Sequence, residues 1–187
     1  MAAIAEIRQR VEGIHNQKLR IIVQFQLQTA CRISEAVGKY AVKKEDLKLR
    51  EYNGHDLALW TLHTAKRNGK DRIVALPFSE DWVTELVDYF QSRKKMVFDY
   101  GPSSVKHLLP QEIGDLEYTI EPYRGREAHS RQMNTHALRH VRLTELVNDY
   151  GFDMIDLSVF AGWKLKGMAG RYVTSQWGRY IDKMFNK

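Results

Sequence analysis

The stretch HALRHVRLTEL at positions 136–146 puts His136, Arg139 and His140 within about one turn of any helix it forms. Paired histidines at i and i+4 can ligate zinc. A histidine and an arginine beside a helix N-terminus can instead hold a phosphate, because unpaired N–H groups there favour an anion. A plain solvated helix accounts for the same residues with no chemistry at all. The zinc reading is the weakest of the three. Ala137, Leu138 and Arg139 separate the histidines, so no glutamate is placed as a base. No third ligand is evident, and Arg139 would repel a cation. His136, Arg139, Leu143, Leu146 and Tyr150 recur at helical spacing. The apolar end of that face belongs in the core, and the His–Arg end should open at its edge.

Phosphate chemistry asks for further groups, and the chain offers them. TACRISEA carries Arg32 with Glu35 three residues on. AKRNGKDR carries Lys66, with Arg67 and Lys70 as rivals for its role. FAGWKLKGMAGRYVT carries Trp163 and, nine residues later, Tyr172. Each alone reads as ordinary: a helical arginine, a loop lysine, a packed tryptophan, a core tyrosine. The formal net charge of +6 and the pI of about 9.4 point to an anionic partner, nucleic acid first. The cations cluster. Arg67, Lys70 and Arg72 follow His63 and Lys66; Arg131 belongs with Arg124, Arg126, His129 and Arg142; Lys164, Lys166 and Arg171 form a third group.

Elements must position these groups. QKLRIIVQFQLQTA (17–30) reads as a helix with Leu19, Val23, Leu27 and Ala30 on one stripe, and Gly38 marks a stop after CRISEAVG. DLALWTLHT (56–64) and DRIVALP (71–77) read as strands, and Leu47–Glu51 adds a third. Asn68–Gly69 between the two main strands predicts a hairpin with Lys66–Lys70 at its basic tip, since both turn residues tolerate positive φ. SEDWVTELVDYFQSRKK (79–95) predicts a helix with a capping start. One helix is expected within 102–118, and 121–134 reads as an exposed basic loop. Thr135 is the expected cap of a helix from His136 to about Asp149, with shorter helices over 153–162, 167–174 and 177–185.

The order predicts an α+β, mostly helical fold, with helices around a small antiparallel three-stranded sheet. The 187 residues suffice for a single domain with its own core. No apolar run approaches the roughly 18 residues of a membrane span. The N-terminus has no secretory pattern, and the lone Cys31 allows no intrachain disulfide, so an intracellular protein is expected.

Taken together and in order, the boxes resemble the catalytic domain of the tyrosine recombinases, the phage-integrase family. TACRISEA is similar to that family's T-G-x-R-x-S-E motif, with Ala30 in place of the usual glycine. HALRH is similar to its H-x-L-R-H box. FAGWK resembles its L-G-H segment, with Trp163 where histidine is commoner. The hairpin resembles the one that carries the family's lysine, and Tyr172 stands at the family's tyrosine spacing, after an unusually basic Arg171. The resemblance runs from about residue 17 to 180.

That resemblance implies site-specific DNA recombination or integration through a 3′-phosphotyrosine intermediate, with no metal or other cofactor. Arg32, Lys66, His136, Arg139, Trp163 and Tyr172 would be catalytic, and Glu35 and His140 supporting. Double-stranded DNA would be the partner, with self-association into a tetramer on it. The integrases' N-terminal DNA-clamping domain is expected to be absent. The helix over 177–185 is expected to dock on its own domain or on a neighbouring protomer. A type IB topoisomerase and an inert DNA-binding module are the alternatives.

Overall fold

The structure, a computed structural model, describes residues 4–63, 71–94, 96–120, 127, 129–163 and 177–186. Helix α1 (Ile4–Glu12) leads into α2 (Gln17–Thr29), which Asn16 caps by accepting from the Leu19 N–H. Ten of the thirteen residues of α2 are buried, so it runs through the middle of the fold and not along its surface. Ala30 ends it in the left-handed region, at φ 46. The short α3 (Ile33–Ala36) and a single 3-10 turn (Lys44–Asp46) follow.

Strands β1 (Leu47–Tyr52), β2 (His55–Leu62) and β3 (Arg72–Pro77) form an antiparallel sheet in that order. Asn53 and Gly54 both take positive φ between β1 and β2, as a two-residue hairpin turn demands. Trp60 pairs with Leu47 on one side and Val74 on the other. Its ring meets Phe25 of α2 edge-on at 5.7 Å between centroids, and Phe98 joins the same cluster. Such edge contacts add to the apolar burial that drives sheet and helix together.

Next come α4 (Val83–Ser92), α5 (Pro102–Ile113), a two-stranded ribbon of β4 (Glu117–Ile120) and β5 (His129–Gln132), α6 (Thr135–Asn148) and α7 (Met154–Ala161). The last helix, α8 (Gly178–Phe185), docks on its own chain. Its Tyr180 hydroxyl accepts from the Ala75 N–H of β3 at 2.9 Å, and its ring packs against Phe160 of α7. Arg179 and Lys183 pair with the buried Asp156 at 2.8 and 2.6 Å, so charge as well as apolar area holds the helix down.

Several expectations need correction. The N-terminal α1 was not foreseen, although Ile7 and Val11 are buried at helical spacing. Helix α4 starts later than Ser79. Trp82 stands before it at φ 61 without a capping side chain, because the Glu80 carboxylate is held by Arg142 at 2.7 Å and by the Tyr150 hydroxyl at 2.7 Å. The stretch 121–134, expected as an exposed basic loop, contains strand β5, whose Arg131 pairs with Tyr118 of β4. Asn134, not Thr135, caps α6: its Oδ1 accepts from the N–H groups of His136 and Ala137 at 2.9 and 3.1 Å, while Thr135 is buried. The tip of the β2–β3 hairpin and the expected helix over 167–174 lie outside the described residues.

Arg142, counted above with the basic surface, is fully buried between Glu80 and Glu145. Arg142→Met removes the cation that both carboxylates share, leaving Glu80 only the Tyr150 hydroxyl and Glu145 only Arg8 among the described partners. It is expected to lower the unfolding free energy by roughly 3–5 kcal/mol in urea titrations. A loss below about 1 kcal/mol would mean that the pair is solvated and this account of the network is wrong.

Gly162 ends α7 at φ 68, and a Cβ there would lie 2.7 Å from Cδ of Arg72. Gly162→Ala combines a left-handed backbone with that clash. An expected cost of about 2 kcal/mol would appear as a lower urea midpoint at unchanged slope.

Candidate active site

Arginines from two segments, Arg32 before α3 and Arg72 on β3, bond one buried carboxylate. Glu35 follows Arg32 on the first turn of α3, so its side chain reaches back to cap that helix, accepting from the Arg32 N–H at 3.0 Å. The same carboxylate takes Nη1 of Arg32 on Oε1 at 2.9 Å and Nη2 of Arg72 on Oε2 at 3.1 Å. Glu35 itself is fully buried. Burial would push its carboxyl up, but the Arg72 charge and the hydrogen bonds from Arg32 and Arg72 outweigh it and hold the group below the usual range.

Arg139 comes in from the second turn of α6. Its Nη1 donates to the Ala30 carbonyl and its Nη2 to the Ala161 carbonyl, the latter at 2.9 Å. Arg72 donates through Nη1 to the Phe160 carbonyl. Phe160 and Ala161 close α7, so two guanidiniums satisfy carbonyls at the negative end of a helix dipole. Burial, then the charges of Arg72 and Arg32, lowers Arg139 to about 10, which leaves it cationic at neutral pH. Two guanidiniums thus bond the carboxylate and a third, Arg139, lies within electrostatic reach, a local excess of positive charge suited to an anion. Of the three, Arg32 faces outward most: its side chain is 34% exposed against 5% for Arg72. Its Nε and Nη2 make no hydrogen bond among the described residues.

A buried amide fixes how these segments meet. Gln26 Nε2 donates to the Thr135 carbonyl at 2.7 Å and to the Cys31 carbonyl at 3.2 Å. One side chain of α2 therefore holds both the turn before Arg32 and the start of α6. Nothing in the sequence pattern singles Gln26 out. Cys31 is buried in the same turn, and burial pushes its thiol up to about 12, which removes it as a nucleophile.

His136 and His140 lie on the exposed side of α6 with their Nε2 atoms 3.1 Å apart. Desolvation, then the charges of Arg139 and Arg32, lowers His136; desolvation, then His136 and Arg139, lowers His140. Asn134 already occupies the first N–H groups of the helix, so the anion-holding donors expected there are side chains and not backbone. Trp163 is 36% exposed, just beyond Gly162. Among the described residues no group of three His, Cys, Asp or Glu is placed to hold a metal ion.

At the foot of the β2–β3 hairpin, His63 bridges two carboxylates. Its Nδ1 lies 2.9 Å from Asp71 and its Nε2 3.1 Å from Asp46. Desolvation opposes its charge, but those two carboxylates raise it above the ordinary imidazole value.

Of the residues expected from sequence to serve the site, Arg32, Glu35 and Arg139 are drawn together, His136 and His140 flank them on α6, and Trp163 follows the helix end that Arg139 holds. Arg131 is exposed on β5. Arg72, expected among the DNA-facing cations, is instead only 7% exposed with its guanidinium turned inward. The signal was available: on β3, Arg72 alternates in phase with Val74 and Leu76, both fully buried. Lys66, Arg67, Lys70, Lys164, Lys166, Arg171 and Tyr172 lie outside the described residues.

Comparison with known proteins agrees on the family. Neither the curated proteins nor the solved structures contain a match. The family model described as the phage integrase family matches residues 2–178, nearly the whole chain. With that span matched, the chain belongs to the phage integrase family, the family of tyrosine recombinase catalytic domains.

Proposed function

We propose that this chain cleaves and rejoins double-stranded DNA by transesterification, as a site-specific recombinase or integrase. The observation that carries the reading is the convergence of Arg32 and Arg139, with His136 alongside, on an electropositive site built around Glu35. The Tyr172 oxygen attacks the scissile phosphorus. A 3′-phosphotyrosyl bond forms as the bond to the 5′-oxygen breaks. Lys66, on the hairpin, gives a proton to the departing 5′-oxygen, and His136 accepts one from the tyrosine. A 5′-hydroxyl from another strand reverses the step, so phosphoester energy is conserved and no nucleotide is hydrolysed.

Each residue type suits its part. A free phenol has a pKa near 10 and is only about 0.1% ionised at neutral pH, so proton removal must accompany attack. Negative charge grows on the non-bridging oxygens, where fixed cationic donors lower the barrier most. Arg32 and Arg139 supply planar forks that remain charged. Trp163 adds an indole N–H donor. Tyr180 is a poor rival to Tyr172 because it is fully buried, and burial keeps its phenol protonated. Arg67, Lys70, Arg131, Lys164, Lys166 and Arg171 are assigned to the DNA backbone, where cations add affinity without reading sequence. Exchange between two duplexes needs one nucleophile per strand, hence a tetramer on DNA. Family membership favours recombination over topoisomerase-like relaxation.

Covalent trapping tests the nucleophile. With nicked duplexes from which the 5′ end escapes, in the absence of magnesium, the wild-type chain is expected to give a denaturation-resistant adduct that Tyr172→Phe abolishes. An adduct retained by the variant would move the nucleophile elsewhere. Tight binding without any adduct would leave a DNA-binding module.

A second test concerns protons. His136 has a folded value below the ordinary 6.5, so protons favour the unfolded chain. Its contribution to stability is complete above 6.5 and is lost as pH falls through the lower folded value. His63 is shifted the other way, and its contribution is lost as pH rises through its higher folded value. In an NMR titration, His136 and His140 should titrate below 6.5 and His63 above it. Adduct formation should decline along the His136 curve. A His136 midpoint at or above 6.5 would overturn the downward shift, and adduct formation that stays flat across its titration would exclude it as the proton acceptor.

A further inference from the structure

Arg72 is the one cation of the site that neither the sequence motifs nor the proposed reaction uses. Its side chain is 5% exposed, which leaves no surface for a duplex. Its two contacts instead join the two sides of the site. On one side, Nη2 holds Glu35 Oε2, while Oε1 of the same carboxylate holds Arg32. On the other side, Nη1 holds the Phe160 carbonyl near the end of α7, three residues before Trp163. Between them the chain passes over the Arg72 stem at Gly162, where a Cβ would come within 2.7 Å of Cδ.

We infer that Arg72 is a positioning residue, which sets Arg32 through Glu35 and Trp163 through the Phe160 carbonyl. This rests on the transesterase reading for its catalytic consequence, though not for its geometry. A carboxylate gripped at both oxygens has a fixed plane, and the direction of the Arg32 guanidinium follows from it. The planar fork of arginine can serve a carboxylate and a carbonyl at once; a lysine ammonium can keep the charge but is a single point on a flexible stem. Arg139 makes the parallel connection one residue further along, from the Ala30 carbonyl to the Ala161 carbonyl. The two arginines therefore act as rungs between the Arg32 turn and the end of α7. Placement of reacting and stabilising groups is sensitive at the scale of an ångström, where errors cost about 10²-fold in rate.

The experiment compares the full chain with Arg72→Met, Arg72→Lys and Val105→Ala, the last being a core truncation on α5 that controls for lost stability. Side-chain NMR signals of the Arg32 Nε–H and the Trp163 indole N–H report position without requiring turnover; Arg32→Lys and Trp163→Phe assign them. Single-turnover cleavage at saturating protein and duplex affinity are measured beside them. Arg72→Met should shift both signals and slow cleavage by about 10²-fold, with affinity changed less than about threefold. Arg72→Lys should lie between it and wild type, and it carries the comparison if Arg72→Met does not fold. Val105→Ala should lower the melting temperature and leave both signals in place. Unmoved Arg32 and Trp163 signals in the Arg72 variants would overturn the assignment, as would equal shifts in Val105→Ala. If the wild-type chain forms no adduct, the transesterase reading fails, and the two signals still decide the role of Arg72.

Discussion

A buried carboxylate bonded by two guanidiniums, with a third close by, is the constraint from which the candidate site follows. An isolated ionised Glu35 could not be removed from water at tolerable cost, and neither could Arg72. Each is admitted to the interior only with the other in place. Because the two oxygens of Glu35 also serve the backbone and side chain of Arg32, the pairing that permits burial also aims the outward-facing arginine. Stability and the proposed function use the same atoms here. The site should therefore tolerate little change at Glu35 or Arg72, although neither is placed to touch substrate.

The rest of the fold serves to bring distant pieces of chain to that carboxylate. Helix α2 crosses the interior and delivers the Ala30–Arg32 turn at its C-terminal end. Its left-handed Ala30 turns the chain sharply enough for α3 to start at once. Gln26 ties that turn to α6, and Arg139 ties it to α7. These are directional polar bonds inside an otherwise apolar core, where an unmade bond is costly, so they specify one arrangement more sharply than packing alone would. A second buried network, Arg8–Glu145–Arg142–Glu80, fastens α1 to α6 in the same manner.

Much of this was legible in the residues before any coordinates. Alternation in 56–64 placed β2, short apolar runs beside it placed its neighbours, and helical spacing placed α2, α4 and α6, because burial of a face leaves an imprint on sequence. What escaped is informative. Helix α1 is short, and its buried stripe rests on Ile7 and Val11 alone, too few positions to set a period. The β4–β5 ribbon has little apolar alternation to detect. Asn134 and Thr135 are both competent caps, and only the burial of Thr135 decides between them. Arg72 was misplaced for a deeper reason: net charge suggests surface, while strand phase pointed inward, and only the partner at Glu35 reconciles the two. Side-chain hydrogen bonds between distant segments, such as those of Gln26, have no one-dimensional signature.

The anchoring of α8 has a consequence for reach. With Tyr180 and Ile181 seated in the core and Arg179 and Lys183 paired to Asp156, the chain is pinned from Trp177 onward. Tyr172 stands five residues before that anchor. At about 3.5 Å per extended residue, the covalent chain keeps its backbone within roughly 18 Å of Trp177. For the nucleophile proposed at Tyr172, that bound corresponds to an effective concentration in the millimolar range at any site within it. The docking of α8 thus limits which active centre the proposed nucleophile can serve, and undocking it would widen that volume sooner than weaken the proposed chemistry.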